Sequence, residues 1–194
     1  GAVIVDADDP DMTGCAATDA AYGVGELLTI TCTFDEAVTV TGTPTVTLSN
    51  GDVASYASGT TSANIVFTTT IAQGDSTSAD LAVSSIQPTA GGATMKDAAG
   101  NAIDTTVTAG DLGTVTVDGA VPTFTSVAAT DGAYGVGETL SITVTWGEAV
   151  VVSGTPTLTL SNGDTASYAS GTGSTALVFT TVIAEDDTAS ADLS

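Results

Sequence analysis

The sequence predicts an all-β chain built from β-sandwich domains in a linear tandem array. Residues 18–82 recur at residues 130–194 with few changes and no gap, at an offset of 112 residues. Apolar and polar residues also alternate with a period of two through most of the chain, which is the pattern of half-buried strands. Turn residues interrupt this alternation about every 8–12 residues, which is typical of antiparallel sandwiches.

The clearest strand lies at residues 27–34, where the sequence reads LLTITCTF. Its alternate positions are apolar and the positions between them are threonines, so one face is predicted to be buried and the other to be exposed. The second copy repeats the pattern. The predicted inward-facing residues are Leu28, Ile30, Cys32 and Phe34 in the first copy, and Leu140, Ile142, Val144 and Trp146 in the second.

Further strands follow at the TPTVTL, DVASYASG, NIVFTTTIA, AIDTTVTA and GTVTVDG segments. Asn50-Gly51 and its counterpart Asn162-Gly163 each predict a two-residue hairpin turn of the primed type. Each repeat would then contain roughly seven or eight short strands, which is the number that a sandwich domain needs.

The register of the repeat predicts the domain boundaries. GAVIVDADDP at residues 1–10 aligns with GTVTVDGAVP at residues 113–122, so residues 1–9 are predicted to be the last strand of a preceding repeat, or a donor strand, with its linker. Residues 10–118 form a complete sandwich and residues 119–194 a C-terminally truncated one. We expect the missing strands of the second sandwich to come from a continuing chain or from another subunit.

The charge of the chain excludes several classes of partner. Asp and Glu number 23 against a single cation, Lys96, and the net charge is −22. Nucleic acids and anionic membranes are bound through clustered Lys and Arg, so neither is an expected partner. No apolar run reaches the about 18 residues of a membrane-spanning helix, so membrane insertion is not expected either.

The residue types also argue against an enzyme. The chain has no His, which excludes Ser-His-Asp and Cys-His arrangements. Carboxylates are plentiful enough for acid–base work, but the same acids recur in the same turns of each repeat. A single active site would not be duplicated in this way, so we expect the chain not to be an enzyme.

The only cysteines are Cys15 and Cys32, and their counterparts in the second copy are Val127 and Val144. Both positions therefore accept apolar side chains. The two cysteines lie in consecutive strands, which tend to be neighbours in space. Two alternatives are open: a disulfide, or two buried thiols that act as small apolar side chains.

If strands alternate in direction, acidic loops of the first sandwich collect at the end that faces the second. The residues predicted to meet there are Asp19, Glu26, Asp97, Asn101, Asp118 and Glu148. Ca²⁺ takes about six to eight oxygen ligands, so this set predicts a calcium site at the domain junction. The alternative is that polar loops gather at sandwich ends without binding a metal.

The segments DGAYGVGETLSITVTWGEAVVVSGTPTLTLSNG, KDAAGN and VDGAVP together resemble the bacterial Ig-like repeats of giant secreted surface proteins and adhesins. The resemblance covers essentially the whole chain. It implies Ig-like sandwiches in a linear array, calcium in the linkers and an extracellular location at the cell surface. Two departures from the family pattern weaken the assignment of metal ligands by resemblance. ADDPDM replaces GAVPTF in the linker before the first sandwich, and Gly147 stands where the first copy has Asp35.

The resulting hypothesis is a non-enzymatic structural unit of a surface protein, adhesin stalk or filament, whose partners are neighbouring repeats or identical subunits. The alternative is an Ig-like module that binds surface glycans or another ligand. Glycan binding would need aromatic side chains clustered on one exposed face, yet the tyrosines recur at turn or strand positions in both copies. They are Tyr22, Tyr56, Tyr134 and Tyr168.

Overall fold

The computed structural model describes residues 5–107 and 110–187. These residues are all-β, and the only helical element among them is a short 3-10 turn at Ala90–Gly92. The chain divides into two compact units, Gly1–Ala120 (unit 1) and Val121–Ser194 (unit 2). The predictions for residues 1–4, for 108–109 and for 188–194 lie outside the described residues.

Unit 1 contains nine strands within its described part. They are β1 (Met12–Ala17), β2 (Ala20–Gly23), β3 (Leu27–Thr41), β4 (Thr45–Leu48), β5 (Val53–Ser58), β6 (Ser62–Thr70), β7 (Val83–Gln87), β8 (Thr94–Lys96) and β9 (Val115–Asp118). The main antiparallel sheet has the order β1-β3-β6-β5-β4-β7, β8 pairs with the end of β3, and β2 pairs in parallel with β9. The sheets form a sandwich-like arrangement.

The long strand β3 connects the layers of unit 1. Its first part pairs with β1 and β6 and buries the predicted face, and Leu28 and Ile30 are fully inaccessible to solvent. Its pairing with β6 shifts register between Thr33 and Val38, and its last residues pair with β8 instead. Such an irregularity bends a strand and re-aims the side chains beyond it. The bend at residues 35–37 therefore carries β3 from one sheet to the next.

The core of unit 1 is mostly aliphatic, with two phenylalanines, Phe34 and Phe67. Its largest fully buried side chains include Phe67, Leu48, Ile65, Ile71, Leu81, Met95 and Leu112. Fully burying a side chain of this size stabilises a fold by about 1.5–3 kcal/mol, which explains how a chain with 5% aromatic residues can still form a stable sandwich.

The predicted two-residue turn at Asn50-Gly51 is wrong. Gly51 N donates to Leu48 O at 3.0 Å, and Leu48 N donates to Asp52 O at 2.8 Å, so the loop contains three residues. Only Gly51 has a positive φ (97°), whereas the primed turn needs positive φ at both central residues. The Asp52 carboxylate accepts from Asn50 Nδ2 at 2.6 Å and favours this longer loop.

A second correction concerns AIDTTVTA. Within its described part, residues 103–107 form no strand, and Ala102 makes only an isolated bridge to Lys96. Asp104 Oδ1 accepts hydrogen bonds from the backbone N–H and the hydroxyl of Thr106, each at 2.8 Å. This local turn competes with a strand for the same backbone. Asp104 N also donates to Pro10 O at 3.0 Å, which holds the segment beside the start of β1.

Unit 2 has five strands in its described part: β10 (Phe124–Ala129), β11 (Thr139–Val150), β12 (Thr157–Thr159), β13 (Thr165–Ser170) and β14 (Ser174–Val182). Their order β10-β11-β14-β13-β12 matches β1-β3-β6-β5-β4 of unit 1. Residues 132–135, which correspond to β2, form no strand in unit 2. Its predicted inward-facing residues Leu140, Ile142 and Val144 are buried, but Trp146 is only partly buried.

Candidate metal centre

Three carboxylates of unit 1 meet at one place although they are far apart in sequence. Asp6, Glu36 and Asp97 each offer an oxygen, and the three oxygens lie within 4.8 Å of one another. We call these residues the acidic cluster. Glu36 lies at the bend of β3, and Asp97 directly follows β8. Because Lys96 of β8 pairs with Thr39 of β3, the two carboxylates are brought side by side.

Asp97 is held firmly by the DAAGN loop that follows it. Its side chain is 5% exposed, and Oδ1 accepts hydrogen bonds from Gly100 N at 2.5 Å and Asn101 N at 2.7 Å. Its Oδ2 accepts from Asn101 Nδ2 at 2.8 Å. The same Asn101 nitrogen donates to the carbonyl oxygen of Asp8 at 3.1 Å. Asn101 thus ties the N-terminal segment to the loop that carries Asp97.

The surroundings of the acidic cluster disfavour the ionised form of Glu36. Partial desolvation raises its pKa above the ordinary value of 4.5, and repulsion from Asp6, Asp97, Asp35 and Asp8 raises it further. Desolvation would also raise the pKa of Asp97, but the hydrogen bonds from Asn101, Gly100 and Ala99 outweigh it and lower that pKa. Asp97 is therefore stabilised as an anion beside a second carboxylate that resists ionisation.

A divalent cation would relieve this repulsion. Every charged neighbour that shifts the pKa of Glu36 is another acid. Ca²⁺ prefers carboxylate and carbonyl oxygens, and the cluster offers three carboxylates next to backbone carbonyls of residues 6 and 8. The residues that could hold such an ion are thus Asp6, Glu36 and Asp97, with Asn101 as the residue that orders the loop.

The sequence-predicted ligand set is divided between separate places. Asp97 and Asn101 belong to the acidic cluster. Asp19 Oδ1 accepts from Thr114 N at 2.8 Å, Glu26 Oε2 accepts from Gly23 N at 2.7 Å, and Asp118 Oδ1 accepts from Ala120 N at 3.0 Å. All three are exposed and serve turns near β2 and β9.

The structure thus gives Asp19, Glu26 and Asp118 hydrogen-bond partners outside the acidic cluster, and their convergence with Asp97 and Asn101 on one calcium ion stays a prediction. Glu26 precedes β3 and Glu36 lies at its bend, so they are separated by ten residues of β3, roughly 30 Å of extended chain. The expected position of the KDAAGN loop rested on counting AIDTTVTA as a strand, and residues 103–107 of that segment form none. Glu148 lies in β11 of unit 2 and is the sequence counterpart of Glu36.

The repeat itself contained the signal that identifies the missed residues. Asp118 is the counterpart of Asp6, just as Glu148 is the counterpart of Glu36. The predicted set combined Asp118 and Glu148, the later copies of these two acids, with Asp97 and Asn101, which lie beside the earlier copies. Shifting Asp118 and Glu148 back by one repeat gives the acidic cluster.

The two cysteines form a disulfide between neighbouring strands. Cys15 of β1 lies directly opposite Cys32 of β3, and the sulfur atoms are 2.02 Å apart. Of the two alternatives that the sequence left open, the structure contains the bridge. The bond is compatible with an extracellular protein, because disulfides persist in oxidising surroundings.

Among the residues that the structure describes, no helix has the length and apolar character of a membrane span.

The four tyrosines are each engaged by their own unit. Tyr22 and Tyr134 donate their hydroxyls to the carbonyl oxygens of residues 18 and 130, at 3.1 and 2.8 Å. Tyr56 and Tyr168 pack edge-on against phenylalanines and accept from backbone N–H groups.

Comparison with protein-family models gives no match to this chain, and comparison with curated proteins gives none.

Proposed function

We propose that the chain is a non-enzymatic structural repeat unit of an extracellular bacterial surface protein, adhesin stalk or filament, built from Ig-like sandwiches in a tandem array. The observation that carries this proposal is the duplication of its polar side-chain contacts. The same residues build the same turns in both units. Acids and tyrosines that stabilise the same turns in both units have a structural role.

The duplicated contacts can be compared atom by atom. Glu26 Oε2 accepts from Gly23 N at 2.7 Å, and Glu138 Oε2 accepts from Gly135 N at 2.5 Å. Asp75 Oδ2 accepts from the backbone N–H of residue 72, and Asp187 Oδ2 from that of residue 184, both at 2.7 Å. Each contact fixes a turn between strands. These acids thus make the same turn contacts in both copies, which supports a structural role for them.

Three features support an extracellular setting. The disulfide is stable in oxidising compartments. The net charge of −22 keeps the surface soluble and discourages non-specific association. The threonine-rich strands also present short polar side chains on their exposed faces, as expected for a chain that meets solvent along its length.

Calcium is part of the proposal. We infer that Ca²⁺ binds at the acidic cluster and joins the segment before β1 to the loop after β8. Asp6 belongs to the first of these segments and Asp97 to the second. Binding there would hold the N-terminal segment against unit 1 and so restrict its motion relative to that unit.

Surface labelling tests the proposed role. Fab fragments against unit 1 are applied to intact cells of the encoding organism and, separately, to permeabilised cells, with an antibody against a cytoplasmic protein as control. We expect the Fab to label intact cells and external protease to remove the label. Label that appears only after permeabilisation would contradict the proposal.

A further inference from the structure

Two segments from opposite ends of unit 1 run side by side in the same direction. Strand β2 pairs in parallel with β9, residue for residue. The contact begins just before the strands, where Ala17 N donates to Leu112 O at 3.3 Å. Asp19 Oδ1 accepts from Thr114 N at 2.8 Å. All of these partners are 95 residues apart in sequence, so the two segments keep one register throughout.

The other side of β9 is bound by the segment between β6 and β7. Val117 N donates to Ser78 O at 2.9 Å, and Leu81 N donates to Val115 O at 3.0 Å. The two valines are core residues, since Val115 is 0% and Val117 is 1% exposed. Strand β9 therefore cannot leave unit 1 without breaking hydrogen bonds on both sides and exposing part of the core.

The direction of these strands decides how the contact responds to tension along the chain. The chain enters unit 1 ahead of β1 and leaves it after β9. Because β2 and β9 are parallel, tension pulls the first segment toward its start and the last segment toward its end. The two forces are opposite and lie along the strands. The hydrogen bonds between the strands are then loaded together, in shear, and do not break one after another.

The disulfide lies on the path between the start of unit 1 and β2. Tension that enters ahead of β1 reaches Cys15 before it reaches β2, and the bridge to Cys32 passes it to β3, an interior strand of the main sheet. Strand β2 lies inside the loop that the bridge closes, so it cannot be stripped from its N-terminal side while the bridge is intact. It stays fixed to the sheet while β9 is pulled.

We propose that unit 1 carries tension along the chain, with the β2–β9 contact as its load-bearing element and the disulfide as the anchor of β2. Resistance to force depends on the rate of unfolding, and therefore on the contacts that must break first. The inference rests on the proposed structural role and deepens it, because a stalk or filament unit transmits force between its neighbours.

The first test pulls the same contact of the full chain in two directions. Handles are attached through azide-bearing residues that replace Asp9 and Ala120, or Val24 and Ala120, all of which are exposed. The first pair loads β2 and β9 in shear. The second pair follows the same ends of the two strands and peels them apart. Unit 2 lies outside both loaded spans. In optical tweezers at one loading rate, we expect a several-fold higher rupture force in shear; equal forces would overturn the inference.

The second test changes one hydrogen bond of the contact, with the handles in the shear position. Asp19→Ala removes the acceptor for Thr114 N, whereas Asp19→Asn keeps an acceptor oxygen. Asp52→Ala is the matched control, because Asp52 accepts from Asn50 Nδ2 in the β4–β5 loop, away from the contact. We expect only Asp19→Ala to lower the rupture force. A force that Asp19→Ala leaves unchanged, or that Asp52→Ala lowers equally, would contradict a load-bearing β2–β9 contact.

The third test addresses the anchor, again in shear. With the bridge intact, the 17-residue separation between Cys15 and Cys32 stays closed, so the unfolded chain should be shorter by about 60 Å than the reduced chain. After reduction we expect β1 to leave β3 in a separate step before β9 is released. A reduced chain that still ruptures in one step at the same force would overturn the anchoring role. Surface labelling is unaffected by these outcomes, so the two proposals fail separately.

Discussion

Met12 and Phe124 occupy the same position in the two copies of the repeat, yet Met12 is 3% exposed and Phe124 is 61% exposed. In unit 1 the segment after β8 covers this position, where Asp104 N donates to Pro10 O. The described part of unit 2 has no such segment. There the Phe124 ring packs edge-on against Trp146, at a centroid distance of 6.4 Å, and the buried Trp146 Nε1 has no hydrogen-bond partner among the described residues.

This difference predicts unequal costs for equivalent substitutions. Met12→Ala should destabilise unit 1 by about 2–5 kcal/mol because it leaves a cavity in an enclosed core. Phe124→Ala should cost unit 2 less than about 1 kcal/mol, since most of the ring is already in water. Chemical denaturation followed by circular dichroism reports both units, and the single tryptophan, Trp146, reports unit 2. Equal losses of stability for the two substitutions would contradict the difference in exposure between Met12 and Phe124.

Replacing both cysteines by valine tests the disulfide without changing the apolar character of the site. Unit 2 has Val127 and Val144 at these positions, so Cys15→Val with Cys32→Val should pack well. Loss of a bridge that spans 17 residues should lower the free energy of unfolding of unit 1 by about 3 kcal/mol. The measurement is denaturant unfolding without reductant. The reduced wild type should match the variant; a wild type that is insensitive to reductant would show that no bridge forms in solution.

Gly59→Ala should be among the most damaging small substitutions in unit 1. Gly59 has φ of 105°, and an added Cβ would lie 2.1 Å from Asn64 O. Gly51→Ala is the matched control, because its φ is 97° but a Cβ there meets no atom within 4 Å. We expect about 1–2 kcal/mol of backbone strain for the control and a clearly larger loss for Gly59→Ala. Thermal melts of the two variants should therefore differ; similar melting temperatures would mean that the β5–β6 loop relaxes.

Glu36→Gln should remove most of the stabilisation by calcium. If Ca²⁺ binds only the folded cluster, it should stabilise unit 1 by about 2.7 kcal/mol at a concentration about 100 times its Kd. Melts are compared with calcium, magnesium and chelator at constant ionic strength. Glu26→Gln is the control, because Glu26 precedes β3, ten residues before Glu36, and its replacement can still accept from Gly23 N. Equal calcium effects in both variants would place the ion elsewhere, and no effect in the wild type would refute calcium binding.

The pKa of Glu36 predicts a dependence on pH in the presence of chelator. This pKa is raised in the folded state, so the folded chain binds the proton more readily than the unfolded chain. The wild type should therefore lose stability relative to Glu36→Gln as the pH rises from 4.5 through the raised value. Asp97 has a lowered pKa, so its stabilisation is present above 3.8 and is lost as the pH falls below that value. Melting temperatures from acidic to neutral pH check the sign; a constant difference between wild type and Glu36→Gln would contradict it.

The sequence was most informative where one local rule decides the structure. Alternation in residues 27–34 correctly placed Leu28, Ile30, Cys32 and Phe34 in the core, because the period of a strand is fixed by its pleat. It failed where two local preferences compete. Asp104 forms a side-chain turn with Thr106 in a segment whose alternation also suits a strand, and Asn50 with Asp52 lengthens a loop.

The candidate metal centre could not be derived in full for a different reason. Asp6, Glu36 and Asp97 meet because β3 bends at residues 35–37 and passes to a second sheet, where β8 pairs with it. That bend is a tertiary feature, and the sequence returns to the same apolar phase at Val38 after the interruption by Asp35 and Glu36. The residue types of the site were predictable from the repeat, whereas their grouping depended on the path of one strand.

Amide hydrogen exchange tests most directly the claim that pairing with β9 protects the β2 segment of unit 1. In unit 1, residues 20–23 pair with β9, whereas their counterparts at 132–135 have no strand partner among the described residues. In dilute protein we expect slow exchange in the peptide that contains residues 20–23 and fast exchange in the peptide that contains 132–135, although the two sequences are nearly identical. Equal protection of both peptides under dilute conditions would contradict the account.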